Sequence, residues 1–413
     1  MNDPIALSRR GALAGMAAAS LAGCGGGGAG GVPEIGSTPS PTPTPPAPPV
    51  PDPGLDTLAQ RAGRRFGSAI ASTPGYTNSG SIQNPRYTAI VEGECGIVVP
   101  ENEFKWQATR PGPDSFDFSR MDQIAAWAEA NGQELRGHTL LWHRPQWFPE
   151  WLNTYDFGSR PAVEAERLIS NHIRTVMGRY GRQIKSYDVV NEAIDHDRNA
   201  PIETSLSRAM GSPEAVLDLA FRTAREAQPD AQLVYNDYMS WEPQHLKHCA
   251  DVLRLLEGVK SRGVPVDALG IQSHIEIFTV DPATGVGPYA ERQWRAFLDE
   301  VTDMGYRLLI TEFDVKDKAL PADIAKRDAA VADYARRYLD LMLEYGEHLD
   351  DILAWGMVDR FNWLQNFDPA KRPDGGAVRG TPYDDDYRPK PLREAIAKSL
   401  ASAPDTSGRR AVG

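Results

Sequence analysis

Short apolar runs alternate with longer amphipathic segments, eight of each, between about residues 55 and 400. The apolar runs predict strands at 66–70, 96–100, 134–141, 184–190, 232–236, 268–273, 307–311 and 352–357. The amphipathic segments predict helices at 82–94, 118–131, 165–180, 213–228, 244–262, 291–305, 322–346 and 391–402. Eight strand and helix units in succession predict an α/β protein with a closed parallel (β/α)8 barrel, the TIM barrel.

The length and charge of the chain limit what accompanies that barrel. Barrels of this kind often exceed 250 residues as one domain, so we expect a single domain at 55–402 followed by a disordered tail at 403–413. The net charge is −12 and the pI is near 5.2, which argues against nucleic acid as a partner. Hydrophobic residues make up 41% of the chain, enough for a full core.

The N-terminal residues have the composition of an export signal and a spacer. Residues 1–24 combine Arg9-Arg10 with a small apolar run and end at Cys24, and the run is too short to span a bilayer. Residues 25–54 are rich first in glycine and then in proline, which predicts a flexible and then extended linker.

Two motifs within residues 1–24 predict a lipid anchor. Ser8-Arg9-Arg10-Gly11 resembles a twin-arginine signal, and Leu21-Ala22-Gly23-Cys24 resembles the lipobox of bacterial lipoproteins. We therefore expect export to the periplasm or cell surface and lipidation of Cys24 at the outer membrane. The alternative is an ordinary secretory signal in which Cys24 is incidental.

Two predicted strands end in glutamates, which indicates chemistry at one rim of the barrel. The strand at 184–190 runs into Asn191-Glu192, and the strand at 307–311 runs into Glu312. A single strand-end glutamate is more often part of a structural ion pair than a catalyst. Two in matching positions are the pair that glycosidic cleavage requires, since one protonates the leaving oxygen and the other attacks or stabilises the sugar.

Further polar motifs follow the strands in order along the chain. They are ENEFKW at 101–106, RGHTLLWH at 136–143, DVVNEA at 188–193, YNDY at 235–238, GIQSH at 270–274, ITEFDV at 310–315, and Trp355-Gly356 with Trp363. With these motifs the chain resembles the glycoside hydrolase family 10 endo-1,4-β-xylanases over nearly all of residues 66–392. The resemblance implies a retaining hydrolase that cleaves xylan or xylo-oligosaccharides.

The resemblance also implies roles for individual residues. Glu192 would be the general acid/base and Glu312 the nucleophile. Asn191 would hydrogen-bond the sugar hydroxyl beside the reacting carbon, and His274, held by Asp314, would donate to Glu312. The residues that would bind sugar hydroxyls or form the aromatic walls of the cleft are Glu101, Asn102, Lys105, His138, Trp142, Gln272, Trp355 and Trp363.

The chain departs from the family at two places along the cleft. After His143 the family often continues with Ser-Gln, whereas this chain has Arg144-Pro145, so Pro145 occupies the position of a sugar-binding glutamine. After Asp359 the chain reads Arg360-Phe361-Asn362, and Leu364 replaces a common arginine. We expect a changed distal glycone subsite and altered acceptance of branches or aglycones.

We expect no cofactor and no metal, and a monomer whose contact with membrane is limited to the lipid anchor. His138 and His143 are five residues apart on an extended segment and point to opposite faces, so they form no metal pair. The spacing of Cys95 and Cys249 does not require a disulfide, and we expect two buried thiols. Two other functions stay open: a β-1,4-glucanase on the same fold and a non-catalytic glycan-binding lipoprotein.

Overall fold

Eight parallel strands, β1 to β8, follow one another around a closed ring in the computed structural model. The strands are β1 Arg65–Ile70, β2 Ile97–Pro100, β3 Glu134–Trp142, β4 Ile184–Asn191, β5 Gln232–Asp237, β6 Ala268–Ile271, β7 Arg307–Lys316 and β8 Leu349–Ala354. β8 pairs with β1 as well as with β7, which closes the ring. The predicted (β/α)8 barrel is therefore confirmed.

The structure describes residues 49–195, 198, 200–283, 285 and 287–405. The predicted signal at 1–24 with Cys24, most of the predicted linker and the tail from 406 onward lie outside these residues. The described end of the predicted linker contacts the barrel domain, because Arg393 donates to the backbone carbonyls of Pro51 and Pro53 at 3.2 and 2.8 Å.

Helices connect the strands and cover the outside of the ring. Those described are α1 Leu55–Arg61, α2 Pro85–Glu94, α3 Trp106–Thr109, α4 Ser119–Ala130, α5 Glu150–Asn153, α6 Pro161–Tyr180, α7 Ser205–Met210, α8 Pro213–Ala227, α9 Leu246–Ser261, α10 Glu291–Asp303, α11 Ile324–Glu344 and α12 Pro391–Ser402. All eight predicted helices are present; the one at 391–402 has the predicted bounds, and the other seven differ at one or both ends.

Local sequence explains where several of these helices begin. The Asn84 side chain accepts from the backbone N–H groups of Arg86 and Tyr87, and Pro85 occupies the first turn, where its missing N–H costs no hydrogen bond. Pro161 likewise occupies the first turn of α6, although no side chain caps this helix, and α6 begins four residues before the predicted start at 165.

The core divides between the two faces of the strands. Leu308 and Ile310 belong to the main core between strands and helices, so Leu309 points to the opposite face, the barrel interior. There it contacts Val234 of β5 and Ala268 of β6. Side chains thus fill the barrel, and chemistry is left to the rim at the strands' C-terminal ends.

Three predicted strands end more than one residue away from the observed end. The run at 268–273 ends as a strand at Ile271, and His274–Glu276 forms a separate short strand beside Asp314–Lys316. That extra pairing carries β7 beyond its predicted end at 311. The last strand is Leu349–Ala354 instead of 352–357, since Gly356 takes a φ of 103° that ends the extended run.

Candidate active site

The turn after β4 presents Asn191 and Glu192 at the rim of the barrel. Asn191 is the last residue of β4, and Glu192 has a φ of 50°, a left-handed conformation that glutamate rarely adopts. Its backbone N–H donates to the carbonyl of Asn236 at 2.9 Å, which ties the turn to the end of β5. The backbone therefore turns sharply where the glutamate emerges.

Three side chains contact the carboxyl group of Glu192. Gln272, just past β6, donates to Oε1 at 2.9 Å, and the indole N–H of Trp142 donates to Oε2 at 3.1 Å. The Nε of Arg144 lies 3.1 Å from the same Oε2. Residues from the end of β3 and from the segment after β6 thus fix the direction of this carboxyl group.

Glu312 lies within β7 and is 5% exposed. The side-chain amide of Asn236 donates to its Oε1 at 2.8 Å, and the Nε2 of His274 lies 3.4 Å from its Oε2. Burial by itself would raise the pKa of Glu312, but the hydrogen bond from His274 and the nearby His138 and Lys105 outweigh burial and lower it. The carboxylate form of Glu312 is favoured.

His274 lies between Glu312 and Asp314. Its Nδ1 is 2.8 Å from Asp314, and the charge of Asp314 and its contact with both carboxylates overcome burial and raise the pKa of His274 to about 9. Asp314 also accepts from the indole N–H of Trp363 at 2.7 Å and from Asn362 at 3.3 Å. The histidine is therefore a cation beside Glu312 at neutral pH.

A second buried histidine, His138, lies within β3 beside Asp188 of β4. His138 places its Nδ1 2.9 Å from Asp188, and Asp188 also pairs with Arg136 through both of its oxygens. Burial opposes ionisation of Asp188, yet Arg136 and His138 lower its pKa. The ring of His138 meets the edge of Trp355 with centroids 5.2 Å apart.

The segment after β2 contributes a carboxylate, an amide and an amine. Glu101 accepts from the backbone N–H of Ser79 at 2.6 Å, and Lys105 donates to the side chain of Asn102 at 2.8 Å. Lys105 is 4% exposed, its Nζ lies 4.5 Å from the ring centroid of Trp142, and burial lowers its pKa. These polar groups lie on the same rim as the two glutamates.

The predicted aromatic walls differ in their surroundings. Trp142 stacks on Trp147 with centroids 4.4 Å apart, and Trp363 packs near His274 and Phe367 at 4.8 and 4.6 Å. Trp355 is 5% exposed, so it presents little surface compared with the half-buried Trp142 and Trp363.

The structure also describes the positions at which the sequence differs from the family motifs. Pro145 and Gln146 are exposed in a single 3-10 turn, Pro145–Trp147, and Leu364 is fully buried. Phe361 packs edge-on against Tyr87 with centroids 5.8 Å apart.

Sequence reasoning missed two residues that contact the site. The side-chain amide of Asn236 donates to Glu312 at 2.8 Å and to the side chain of Asn191 at 2.9 Å. The sequence feature that could have indicated this residue is the polar end of β5. Arg144 contacts Glu192. The sequence feature that could have indicated it is the presence of an arginine directly after His143, where the family often has serine. The predicted residues of the described chain all lie on this rim, whereas Cys24 lies outside the described residues.

Other features concern cysteines, metals and membranes. Cys95 and Cys249 are free and buried. Over the described residues, histidine, cysteine and acidic side chains form no group of three suited to a metal ion. In the same part of the chain no helix combines the length and apolar character needed to cross a membrane.

Comparison with known proteins identifies the family. The family model described as Glycosyl hydrolase family 10 matches residues 54–399. The chain belongs to glycosyl hydrolase family 10. Among relatives of this family 10 protein, endo-1,4-beta-xylanase B of Humicola insolens is 30% identical over 348 residues, which cover 84% of this chain and 87% of that protein. Endo-1,4-beta-xylanase 5 of Pyricularia oryzae is 29% identical over 365 residues, with 86% and 80% covered.

Solved family 10 structures share the same fold. Native xylanase 10B of Thermotoga maritima superposes with a TM-score of 0.70 at 27% identity, covering 84% of this chain and 98% of that one. Xylanase 10B of Thermotoga petrophila, in complex with xylobiose, gives a TM-score of 0.71 at 26% identity, with 85% and 98% covered.

Proposed function

We propose that this family 10 protein is an endo-1,4-β-xylanase that cleaves xylan or xylo-oligosaccharides with retention of configuration at the anomeric carbon. Family membership and relatives named as endo-1,4-beta-xylanases support this activity. The observation that carries it is the pair Glu192 and Glu312, two rim carboxyls in different environments. His274 and the nearby His138 and Lys105 favour the ionised form of Glu312, while Glu192 accepts from the amide of Gln272 and the indole of Trp142 and lies beside the guanidinium of Arg144.

Each of the two glutamates has one role in each half of the reaction. Glu312 attacks the anomeric carbon while Glu192 donates a proton to the glycosidic oxygen, and the shortened chain leaves. The xylosyl ester on Glu312 is then hydrolysed by water, from which Glu192 takes back the proton. The overall result is one C–O bond broken, one water consumed and both carboxyl groups restored.

Neighbouring residues support these steps. His274, held by Asp314, stabilises the carboxylate of Glu312 before attack and as it departs. Asn191 precedes Glu192 and accepts from the amide of Asn236, which also donates to Glu312, and it contacts the sugar hydroxyl next to the reacting carbon. The residues proposed to bind the sugar chain are Glu101, Asn102, Lys105, His138, Trp142, Gln272, Trp355 and Trp363.

The activity is tested by following unbranched xylohexaose by NMR with the wild type, Glu192→Ala and Glu312→Ala. We expect the β-anomer as first product and losses of several orders of magnitude in both variants. Glu344→Ala, which removes an exposed glutamate paired with Arg295, is the matched control and should retain full activity. An α-anomer first would exclude retention. Faster turnover of a cellulose derivative would indicate a glucanase, and binding without turnover would indicate a glycan-binding protein.

The N-terminal segments are proposed to export and anchor the enzyme. Residues 1–24 act as a twin-arginine-type signal, lipidation at Cys24 anchors the chain to the outer membrane, and 25–54 separates the anchor from the catalytic domain at 55–402. Cys24→Ala should release soluble enzyme and abolish incorporation of labelled palmitate. Unchanged membrane retention of this variant would contradict lipidation.

We also propose that the enzyme acts as a monomer, with 403–413 as a tail outside the domain. Light scattering of the domain at 55–402 and of the chain through 413 should both give the mass of one chain. A mass of two chains would contradict this.

A further inference from the structure

Arg144 occupies an unusual position beside the proposed acid/base. It follows β3 directly, and its side chain is 15% exposed. Its Nε donates to the backbone carbonyl of Glu192 at 3.2 Å and its Nη2 to that of Ile194 at 3.1 Å. Nη2 also donates to the hydroxyl of Tyr238 at 3.3 Å. One guanidinium therefore connects the end of β3 to the turns after β4 and β5.

The turn that Arg144 grips is strained. Glu192 has a φ of 50°, a left-handed conformation that is unfavourable for a residue other than glycine. Such a conformation persists where surrounding contacts determine it. Here the N–H of Glu192 is bonded to Asn236, and its carbonyl to Arg144.

Arg144 also makes the two oxygens of the Glu192 carboxyl group unequal. Its Nε lies 3.1 Å from Oε2, which accepts from Trp142 as well, whereas Oε1 accepts from the neutral amide of Gln272. A guanidinium is permanently charged and has no acceptor. Negative charge is therefore favoured on Oε2, and the proton of the acid form is favoured on Oε1.

The residues that pack against Arg144 are themselves held by stacking and hydrogen bonds. The guanidinium carbon lies 5.5 Å from the ring centroid of Tyr238, and that ring stacks on His248 at 4.5 Å. His248 is bonded to Asp237, which also accepts from the backbone N–H of Tyr238. Arg144 is thus fixed by packing and hydrogen bonds.

We propose that Arg144 is a positioning residue for the acid/base: it fixes the strained turn at Glu192 and directs the transferable proton to Oε1. This inference rests on the proposed function. The proton passes from Oε1 to the glycosidic oxygen as the C–O bond breaks, and Oε1 takes a proton from water in the second half of the reaction.

The test compares substrates that need a proton with one that does not. Xylohexaose has a poor leaving group that must be protonated, whereas the phenolate of 2,4-dinitrophenyl β-xylobioside leaves without it. For Arg144→Met we expect kcat/KM on xylohexaose to fall by about tenfold or more, and kcat/KM on the dinitrophenyl substrate to stay within about threefold. On the dinitrophenyl substrate kcat should fall, because the second half still needs Glu192 as base.

Two further variants keep the result interpretable. Arg144→Lys retains the charge but not the fork of donors, so its loss on xylohexaose should be smaller than that of Arg144→Met. Arg65→Met is the matched control, because Arg65 is a similarly covered arginine (21% exposed) that pairs with Asp351 near the opposite ends of the strands. Arg65→Met should change kcat/KM by the same factor for both substrates.

Several results would overturn the proposal. If Arg144→Met loses the same factor of kcat/KM on both substrates, Arg144 only maintains the structure. If kcat/KM is unchanged on both, Arg144 has no role. Glu192→Ala separates this proposal from the proposed function. This variant should also lose more kcat/KM on xylohexaose than on the dinitrophenyl substrate, and the difference should be larger than for Arg144→Met. If Glu192→Ala lacks the pattern, or if the wild type turns over neither substrate, the proposed function fails and this inference with it.

Discussion

Replacing Asp314 with asparagine is expected to remove the positive charge that His274 places beside Glu312. Burial alone would lower the pKa of His274, but Asp314 and Glu312 raise it from 6.5 to about 9. That difference favours the protonated ring by about 3 kcal/mol. Asp314→Asn removes the largest favourable contribution, so we expect the pKa of His274 to fall towards its ordinary value.

Activity and stability should both respond. A hydrogen bond to a charged group contributes about 1.5 to 3 kcal/mol, so kcat/KM of Asp314→Asn at pH 8 should fall about ten- to a hundredfold. Because the folded-state pKa of His274 is raised, its stabilising contribution is complete below pH 6.5 and is lost as the pH rises through about 9. The wild type should lose stability over that window, and the variant should lose less.

The assay is an NMR titration of enzyme with labelled histidine, in which His274→Gln identifies the resonance. Asp122→Asn, which alters an exposed aspartate paired with Arg179, is the control and should leave the midpoint of His274 unchanged. A wild-type midpoint at or below 6.5, or the same midpoint in Asp314→Asn, would refute this account of how Glu312 is kept ionised.

Three further predictions concern other groups near the rim. Lys105→Met should raise KM for xylohexaose about tenfold in steady-state assays, and an unchanged KM would contradict a binding role. Trp363→Phe removes the N–H that Asp314 accepts at 2.7 Å, so kcat/KM should fall about tenfold, and full activity would show that this bond is dispensable. Burial raises the pKa of Glu242 to about 7, so its favourable contribution is present below pH 4.5 and is lost as the pH rises through 7. Denaturant titrations should show the wild type losing about 3 kcal/mol relative to Glu242→Gln over that range, and parallel curves would contradict this.

The sequence predicted the barrel and the two glutamates for physical reasons. The spacing of apolar residues within a short segment distinguishes a strand from a helix, so the order of strands and helices can be predicted from each segment by itself. Glu192 and Glu312 were recognisable because polar residues directly follow apolar strands, and parallel strands gather their ends at one rim.

Contacts between distant segments were not predictable in this way. The extension of β7 depends on pairing with His274–Glu276, which the strand's own residues do not specify. Arg144 and Glu192 are separated by 48 residues, and the direction of an arginine side chain from a loop is set by what packs around it. The turn at Glu192 likewise makes contacts with β5 and with Arg144 that its own residues do not specify.

The assignment of Glu312 as nucleophile is tested most directly by trapping the glycosyl-enzyme. A 2-deoxy-2-fluoro-xylobioside with a dinitrophenyl leaving group slows the second half of the reaction and leaves the sugar on the nucleophile. Peptide mapping by mass spectrometry should place the label on Glu312, with one equivalent bound as activity is lost. A label on Glu192 or another residue, or turnover of the reagent without any label, would contradict the assignment.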